Sequence, residues 1–151
     1  YSLASSMKVG KRRIIAVGSG FDTKNIRSKE SIKMLTWGLR IFDTVKVAKS
    51  NEPFTTIKVW LGKKNNVSII TEEDIYLTIP KRKKKTIKVN LEYDGPVNAP
   101  ITKGQKLGKM IVVVSDEIVK EVDFFSNENI NRSNIFTRLF KSLNYLIWGD
   151  V

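Results

Sequence analysis

Ser5-Ser6-Met7-Lys8 places a serine three residues ahead of a lysine, the pairing in which an amine assists deprotonation of a hydroxyl for nucleophilic attack. That chemistry needs one helical turn to bring the two side chains together. The surrounding residues 1–9 read instead as a strand, where positions i and i+3 point to opposite faces, so the pair is rejected as a catalytic dyad. Ser142-Leu143-Asn144 has the Ser-x-Asn form of a second such motif, but it lies in a strongly amphipathic stretch, and no Lys-Thr-Gly or Lys-Ser-Gly triplet occurs. With no Cys and no His in 151 residues, a thiolate nucleophile, a Ser-His-Asp triad, a disulfide framework and a Cys/His zinc site are excluded. Any catalysis by this chain would have to use Ser, Lys, Asp, Glu, Tyr or Arg, and no metal site or cofactor is expected.

The remaining chemical signal is charge. Lys and Arg number 27 against 15 Asp and Glu, a formal +12. The bias is steepest at the front: residues 1–50 hold 11 basic and 3 acidic residues, 51–123 hold 13 and 10, and 124–151 hold 3 and 2. Such a balance favours an anionic partner. Lys81-Arg82-Lys83-Lys84-Lys85 could grip phosphates or anionic lipid, or it could be a solvated turn protecting a sheet edge. No aromatic residues interleave it, so a stacking platform for single-stranded nucleic acid is missing, and nucleic acid is an unlikely partner.

These residues must be positioned by the following elements. Tyr1 opens the chain without an initiator Met or a polar lead-in, which reads as a piece cut from a longer protein. Residues 1–9 and 13–17 form a hairpin about Gly10, and the second strand is apolar on both faces, as in a sheet covered by helices. A helix follows within 28–45, with Ile32, Leu35, Leu39 and Phe42 on its core face, widened by Trp37 and Ile41. A hairpin and one helix cannot bury these faces alone, so a partner upstream is expected. From 52 the period changes to two, with strands at 54–61, 67–70, 75–79, 86–93, 110–114 and 117–124 separated by Gly and Pro turns. Such a series predicts a small antiparallel sandwich or barrel.

At about 100° per residue, Ile135, Phe136, Leu139, Phe140, Leu143, Leu146 and Ile147 fall within an arc of about 140°, with polar residues filling the rest. Ser133 reads as the N-cap, and Gly149 as the stop. The apolar face, with Trp148 at its end and Arg138 and Lys141 on the wet side, fits a helix lying in a membrane interface or one packed on the protein's own core. Its terminal place, after the polar residues 126–129, favours the membrane. No run approaches the roughly 18 to 20 apolar residues that would span a bilayer.

Arg27-Ser28-Lys29-Glu30-Ser31, Met34-Leu35-Thr36-Trp37-Gly38-Leu39-Arg40 and Phe42-Asp43-Thr44-Val45 resemble the end of the penicillin-binding domain of serine-type D-alanyl-D-alanine carboxypeptidases, the low-molecular-mass penicillin-binding proteins of peptidase family S11. Val59-Trp60-Leu61-Gly62, Ile75-Tyr76-Leu77-Thr78-Ile79-Pro80, Ala99-Pro100-Ile101 and Gly104-Gln105-Lys106-Leu107-Gly108 resemble that family's second, β-rich domain, and the terminal helix resembles its membrane anchor.

The resemblance implies a mostly β chain in three parts: 1–50, the last strands and closing helix of an incomplete α/β catalytic domain; 51–125, the β-rich domain; and 126–151, the amphipathic anchor. It implies a periplasmic parent, peripheral on the outer face of the cytoplasmic membrane, that trims the terminal D-Ala of peptidoglycan pentapeptides through an acyl-serine and is trapped by β-lactams. The nucleophile and its companion motifs would precede Tyr1, leaving this piece inactive alone. Arg27 stands where the family places an arginine near the pocket for the substrate's terminal carboxylate, which a guanidinium suits by forked hydrogen bonding. The competing reading is a non-catalytic basic β-domain that binds nucleic acid or another polyanion.

Overall fold

The computed structural model describes residues 1–10 and 12–134, which fall in two compact units, Tyr1–Val45 with Leu77–Lys85 and Lys46–Tyr76 with Thr86–Val151. The first unit therefore takes in residues 77–85, which a division after residue 50 assigns to the β-rich part.

In the first unit β1 (Leu3–Val9) pairs antiparallel with β2 (Arg12–Gly18), from Leu3 opposite Gly18 to Val9 opposite Arg12. Gly10 turns the chain between them at φ +59°. Leu3, Ser5 and Met7 lie on the half-buried face of β1, while Ala4, Ser6 and Lys8 are exposed. Ser5 and Lys8 thus face opposite ways, as the strand reading requires, and the Ser5 hydroxyl donates to the Ala16 carbonyl at 3.4 Å. On β2, Ala16 is buried, whereas Ile15 and Val17 are 67% and 72% exposed.

Helix α1 (Lys24–Ile41) starts at an N-cap, Thr23, whose hydroxyl accepts the Ile26 N–H at 3.2 Å. Its buried stripe is Ser31, Leu35 and Gly38. This corrects the expected core face. Leu35 is buried and Leu39 and Phe42 are half-buried, but Ile32 and Trp37 are 59% and 52% exposed. Small residues decide the contact: a Cβ built on Gly38 would stand 3.2 Å from the Ile14 side chain, so the helix approaches the hairpin through its least bulky stripe.

The helix also ends earlier than the apolar spacing predicts. Phe42 is already extended, its N–H closes on the Gly38 carbonyl, and β3 (Phe42–Ala48) follows without a loop. The Thr44-Val45-Lys46-Val47 alternation, with three β-branched residues, favours a strand. Phe42 keeps its apolar contact by meeting Trp37 edge-on at 5.4 Å. β3 pairs with β6 (Ile75–Pro80), in which Ile75, Leu77 and Ile79 are buried and Tyr76 and Thr78 exposed. The cationic run that follows forms a 3₁₀ helix, Lys81–Thr86.

The second unit holds β4 (Thr55–Trp60), β5 (Asn66–Ile70), β7 (Ile87–Glu92), β8 (Val97–Asn98), β9 (Lys106–Val114) and β10 (Glu117–Ser126) in one sheet. The strand order is β7-β9-β10-β5-β4-β8, antiparallel except for β4–β8. The strands expected to form a small antiparallel sandwich or barrel are joined instead in this one six-stranded sheet, which includes a parallel pair. Period-two alternation brings Ile57, Val59, Val67, Ile69, Met110, Val112 and Phe124 into the core. Ser115 and Asp116, both at positive φ, make the two-residue turn between β9 and β10. At Gly108 a Cβ would lie 2.3 Å from the Glu92 carbonyl oxygen and 2.8 Å from the Phe124 ring, so only glycine fits.

Residues 126–129, read as a polar stretch ahead of the terminal helix, and residues 130–133 after them are bonded to the sheet. Ile101 and Ile130 exchange two backbone hydrogen bonds, Lys63 N–H donates to Asn131, and Arg132 Nε donates to the Ala99 carbonyl at 3.0 Å. Ser133, read as an N-cap, gives both its N–H and its hydroxyl to the Leu61 carbonyl, at 2.9 and 3.1 Å. Leu61 sits at φ +57°, a conformation that costs a bulky L-residue about 1–2 kcal/mol and aims that carbonyl at Ser133. The amphipathic helix expected from residue 135 onward, with Ile135, Phe136, Leu139, Phe140, Leu143, Leu146, Ile147 and Trp148, lies outside the described residues. Among the described residues no helix is long and apolar enough to cross a membrane.

Candidate functional site

Arg27 lies early in α1, on the stripe that continues through Ser31, Leu35 and Gly38, so its side chain is drawn toward the protein rather than out to solvent. Its Nε is buried and has no hydrogen-bond partner, and its guanidinium carbon stands 6.0 Å from the centre of the Tyr1 ring. A buried donor left unpaired costs about 1–3 kcal/mol, an expense that an anionic acceptor would remove. Beside α1, Ala16, Phe21, Ser31, Met34 and Trp37 line a mostly apolar cleft of about 570 Å³. Arg27 is not among the residues lining it.

Two carboxylates organise their surroundings. Asp43, at the start of β3, accepts from Lys84 Nζ at 2.8 Å and from the Thr44 N–H at 2.9 Å, with Arg12 at 3.7 Å. The Lys84 hydrogen bond, then that of Thr44, holds its carboxyl below the usual range. Asp74 accepts the Ser50 N–H at 2.9 Å, Lys46 at 3.1 Å and the Tyr76 hydroxyl at 3.1 Å. The Ser50 hydrogen bond and then Lys46 lower its pKa, and Lys46 is raised chiefly by Asp74. Lys46 Nζ also lies 5.3 Å from the centre of the Tyr76 ring, which pins a half-exposed aromatic in one orientation. Neither cluster was visible in the sequence. The advance signals were the Phe42-Asp43-Thr44-Val45 and Ile75-Tyr76-Leu77-Thr78-Ile79-Pro80 motifs and the cationic run 81–85, none of which shows which groups pair.

Glu128 closes the stitched segment. It pairs with Lys64 and accepts the Ser68 N–H at 3.4 Å, and these contacts, Lys64 first, lower its pKa.

The charge is divided unevenly. The first unit carries 14 Lys and Arg against 3 Asp and Glu, a surplus of 11, whereas the second carries 13 against 12. A basic β-domain is therefore not what the +12 describes.

A six-stranded, mostly antiparallel sheet with residues 126–133 bonded to it defines a β-rich domain. The family model "Penicillin-binding protein 5, C-terminal domain" matches residues 42–132, and the chain belongs to that family. The chain is 33% identical to the D-alanyl-D-alanine carboxypeptidase DacC of Escherichia coli over 93% of its own length and 35% of that protein's. Among solved structures it resembles penicillin binding protein 5 from Haemophilus influenzae, with TM-score 0.71, 29% identity and coverage of 87% of this chain and 39% of that one. It also resembles the D-alanyl-D-alanine carboxypeptidase DacD from Francisella tularensis, with TM-score 0.67, 28% identity and coverage of 88% and 33%. The chain thus spans about a third of the length of the curated relatives it matches.

Proposed function

We propose that this chain is the C-terminal part of a serine-type D-alanyl-D-alanine carboxypeptidase that trims the terminal D-Ala of peptidoglycan pentapeptides and is acylated by β-lactams. The observation that carries this reading is the match to the C-terminal domain family across residues 42–132, together with relatives of that name aligned along more than nine-tenths of the chain. In this reading the first 50 residues close an α/β catalytic domain whose nucleophile lies elsewhere in the parent. The exposed Ile15 and Val17 of β2, and Ile32 and Trp37 of α1, are then the faces that the rest of that domain covers. Arg27 faces the carboxylate of the substrate's last residue, and its unpaired Nε is the donor held for it.

Residues 51–125 act as a stalk. Residues 126–151 lead into an amphipathic helix that tethers the parent to the outer face of the cytoplasmic membrane, with Ile135, Phe136, Leu139, Phe140, Leu143, Leu146, Ile147 and Trp148 on the lipid side.

The test is to label the source cells with a fluorescent penicillin and probe the same gel with an antibody against residues 51–123. A labelled, antibody-reactive band well above 17.2 kDa in the membrane fraction is expected. A single unlabelled band near 17.2 kDa would overturn the reading.

A further inference from the structure

The surplus of positive charge in the first unit is concentrated further, at one pole. At the turn end of the β1–β2 hairpin Lys8 stands directly opposite Arg13, both exposed, and Arg12 follows opposite Val9. Like charges facing each other across a strand pair are destabilising. The 3₁₀ helix adds five consecutive cations, of which Lys81, Arg82, Lys84 and Lys85 are exposed. The two groups meet at Asp43, which Arg12 approaches from β2 at 3.7 Å and Lys84 from the 3₁₀ helix at 2.8 Å. One carboxylate thus serves cations from two elements and leaves a positive surplus between them.

We propose that this pole is a docking surface for a flexible linear phosphate polymer. The partner's chemistry follows from the presentation of the charges. Four of the five cations in the run are lysines, compact point charges that attract dense anionic charge without the forked geometry by which arginine selects one group. Residues 3–18 and 77–86 contain no aromatic ring, so bases are not stacked and the backbone phosphates alone are met. With three residues per turn, the 3₁₀ helix directs its cations along three edges about 120° apart, with Arg82 and Lys85 sharing one edge at a rise of roughly 6 Å. The exposed cations occupy two of these edges, Lys81 with Lys84 and Arg82 with Lys85, and make a ridge whose two sides a flexible chain can follow, while the edge of Lys83 is half-buried. Binding releases counterions and relieves the repulsion between strand and 3₁₀ cations, so it weakens steeply with salt. This inference does not depend on the carboxypeptidase reading.

The experiment titrates the full chain with long-chain inorganic polyphosphate over a range of salt concentrations. Beside it stand a cluster variant (Lys81→Gln, Arg82→Gln, Lys85→Gln) and a variant of equal charge change in the other unit (Lys103→Gln, Lys106→Gln, Lys109→Gln). The cluster variant is expected to lose about tenfold or more in affinity at low salt, and its log K against log salt slope should shrink by about 2, at roughly 0.7 per lost contact. The other variant should stay within about twofold, with circular dichroism melting confirming that both are folded. Equal losses in the two variants would show a net-charge effect and overturn the proposal. So would an absence of polyphosphate binding alongside sedimentation with phosphatidylglycerol vesicles that depends on the same three residues, which would reassign the pole to a lipid surface.

Discussion

Asp74 shows how a single side chain gathers a neighbourhood. It holds the Ser50 backbone, the Lys46 ammonium and the Tyr76 hydroxyl at once, and its pKa is lowered as a result. A depressed carboxylate stabilises the fold above its unfolded pKa, and that contribution is lost as the pH falls through the folded value. Lys46, raised by the same contact, works in the opposite sense: its contribution is present below the ordinary lysine pKa and lost as the pH rises through the folded one. The expected outcome is that Asp74→Asn flattens the acid limb of a stability-against-pH curve, read by urea unfolding from neutral pH downward, and loosens Tyr76 as seen by its fluorescence anisotropy. An unchanged acid limb would assign that limb to other carboxylates, such as Asp43 and Glu128, whose pKa values are also lowered. The sequence could not name Asp74, because its partners Lys46 and Ser50 lie 28 and 24 positions away and are brought close only by the pairing of β3 with β6. The resemblance singled out Arg27, but the burial of its unpaired Nε could not be read from the sequence.

At the scale of elements the hairpin, the helix and the strands of the sheet were readable from periodicity, and the errors cluster where tertiary contact outranks it. Ile32 and Trp37 carry the helical apolar spacing yet lie outside, because the Ser31-Leu35-Gly38 stripe allows a closer approach to Ile14. Helix spacing likewise ran on through Phe42, although the next residues are better strand formers. Residues 126–133 look like a linker by composition, since their asparagines and serines are polar, but Ser126 is fully buried and Asn129 accepts the Lys103 N–H at 2.7 Å. The glycine motifs were visible without their reasons. Gly108 ends the Gly104-to-Gly108 motif where β9 passes the Glu92 carbonyl. Gly108→Ala must push β9 from β7 or displace the Phe124 ring, and is expected to destabilise by about 1–3 kcal/mol, measured as a lower urea midpoint at unchanged slope. A midpoint equal to that of the parent would mean that the strand shifts without cost.

For the molecule as a whole, division into two units predicts two levels of protection. The hairpin of the first unit is two-stranded with Ile15 and Val17 exposed, whereas β9 in the second unit is paired on both sides and contributes Met110, Val112 and Val114 to the core. Hydrogen exchange on this chain is expected to release the amides of β1 and β2 by local opening while those of 110–114 persist to the limit of global unfolding. Equal protection would show that the chain opens as one cooperative body. The division of charge belongs to the same scale. Overall composition reported +12, but only the fold shows that the β-rich unit is nearly balanced and that the surplus lies with the hairpin, α1 and the 3₁₀ helix.

The stitching of residues 130–133 also has a mechanical meaning. Tension along the chain beyond residue 134 would reach the sheet at Ser133 and be handed to the Leu61 carbonyl, then to Lys63, Ala99 and Ile101. A slack linker would stretch before it passed on a load, but this segment has no slack to give. Under such a pull the first bonds to be loaded are the pair between Ser133 and Leu61.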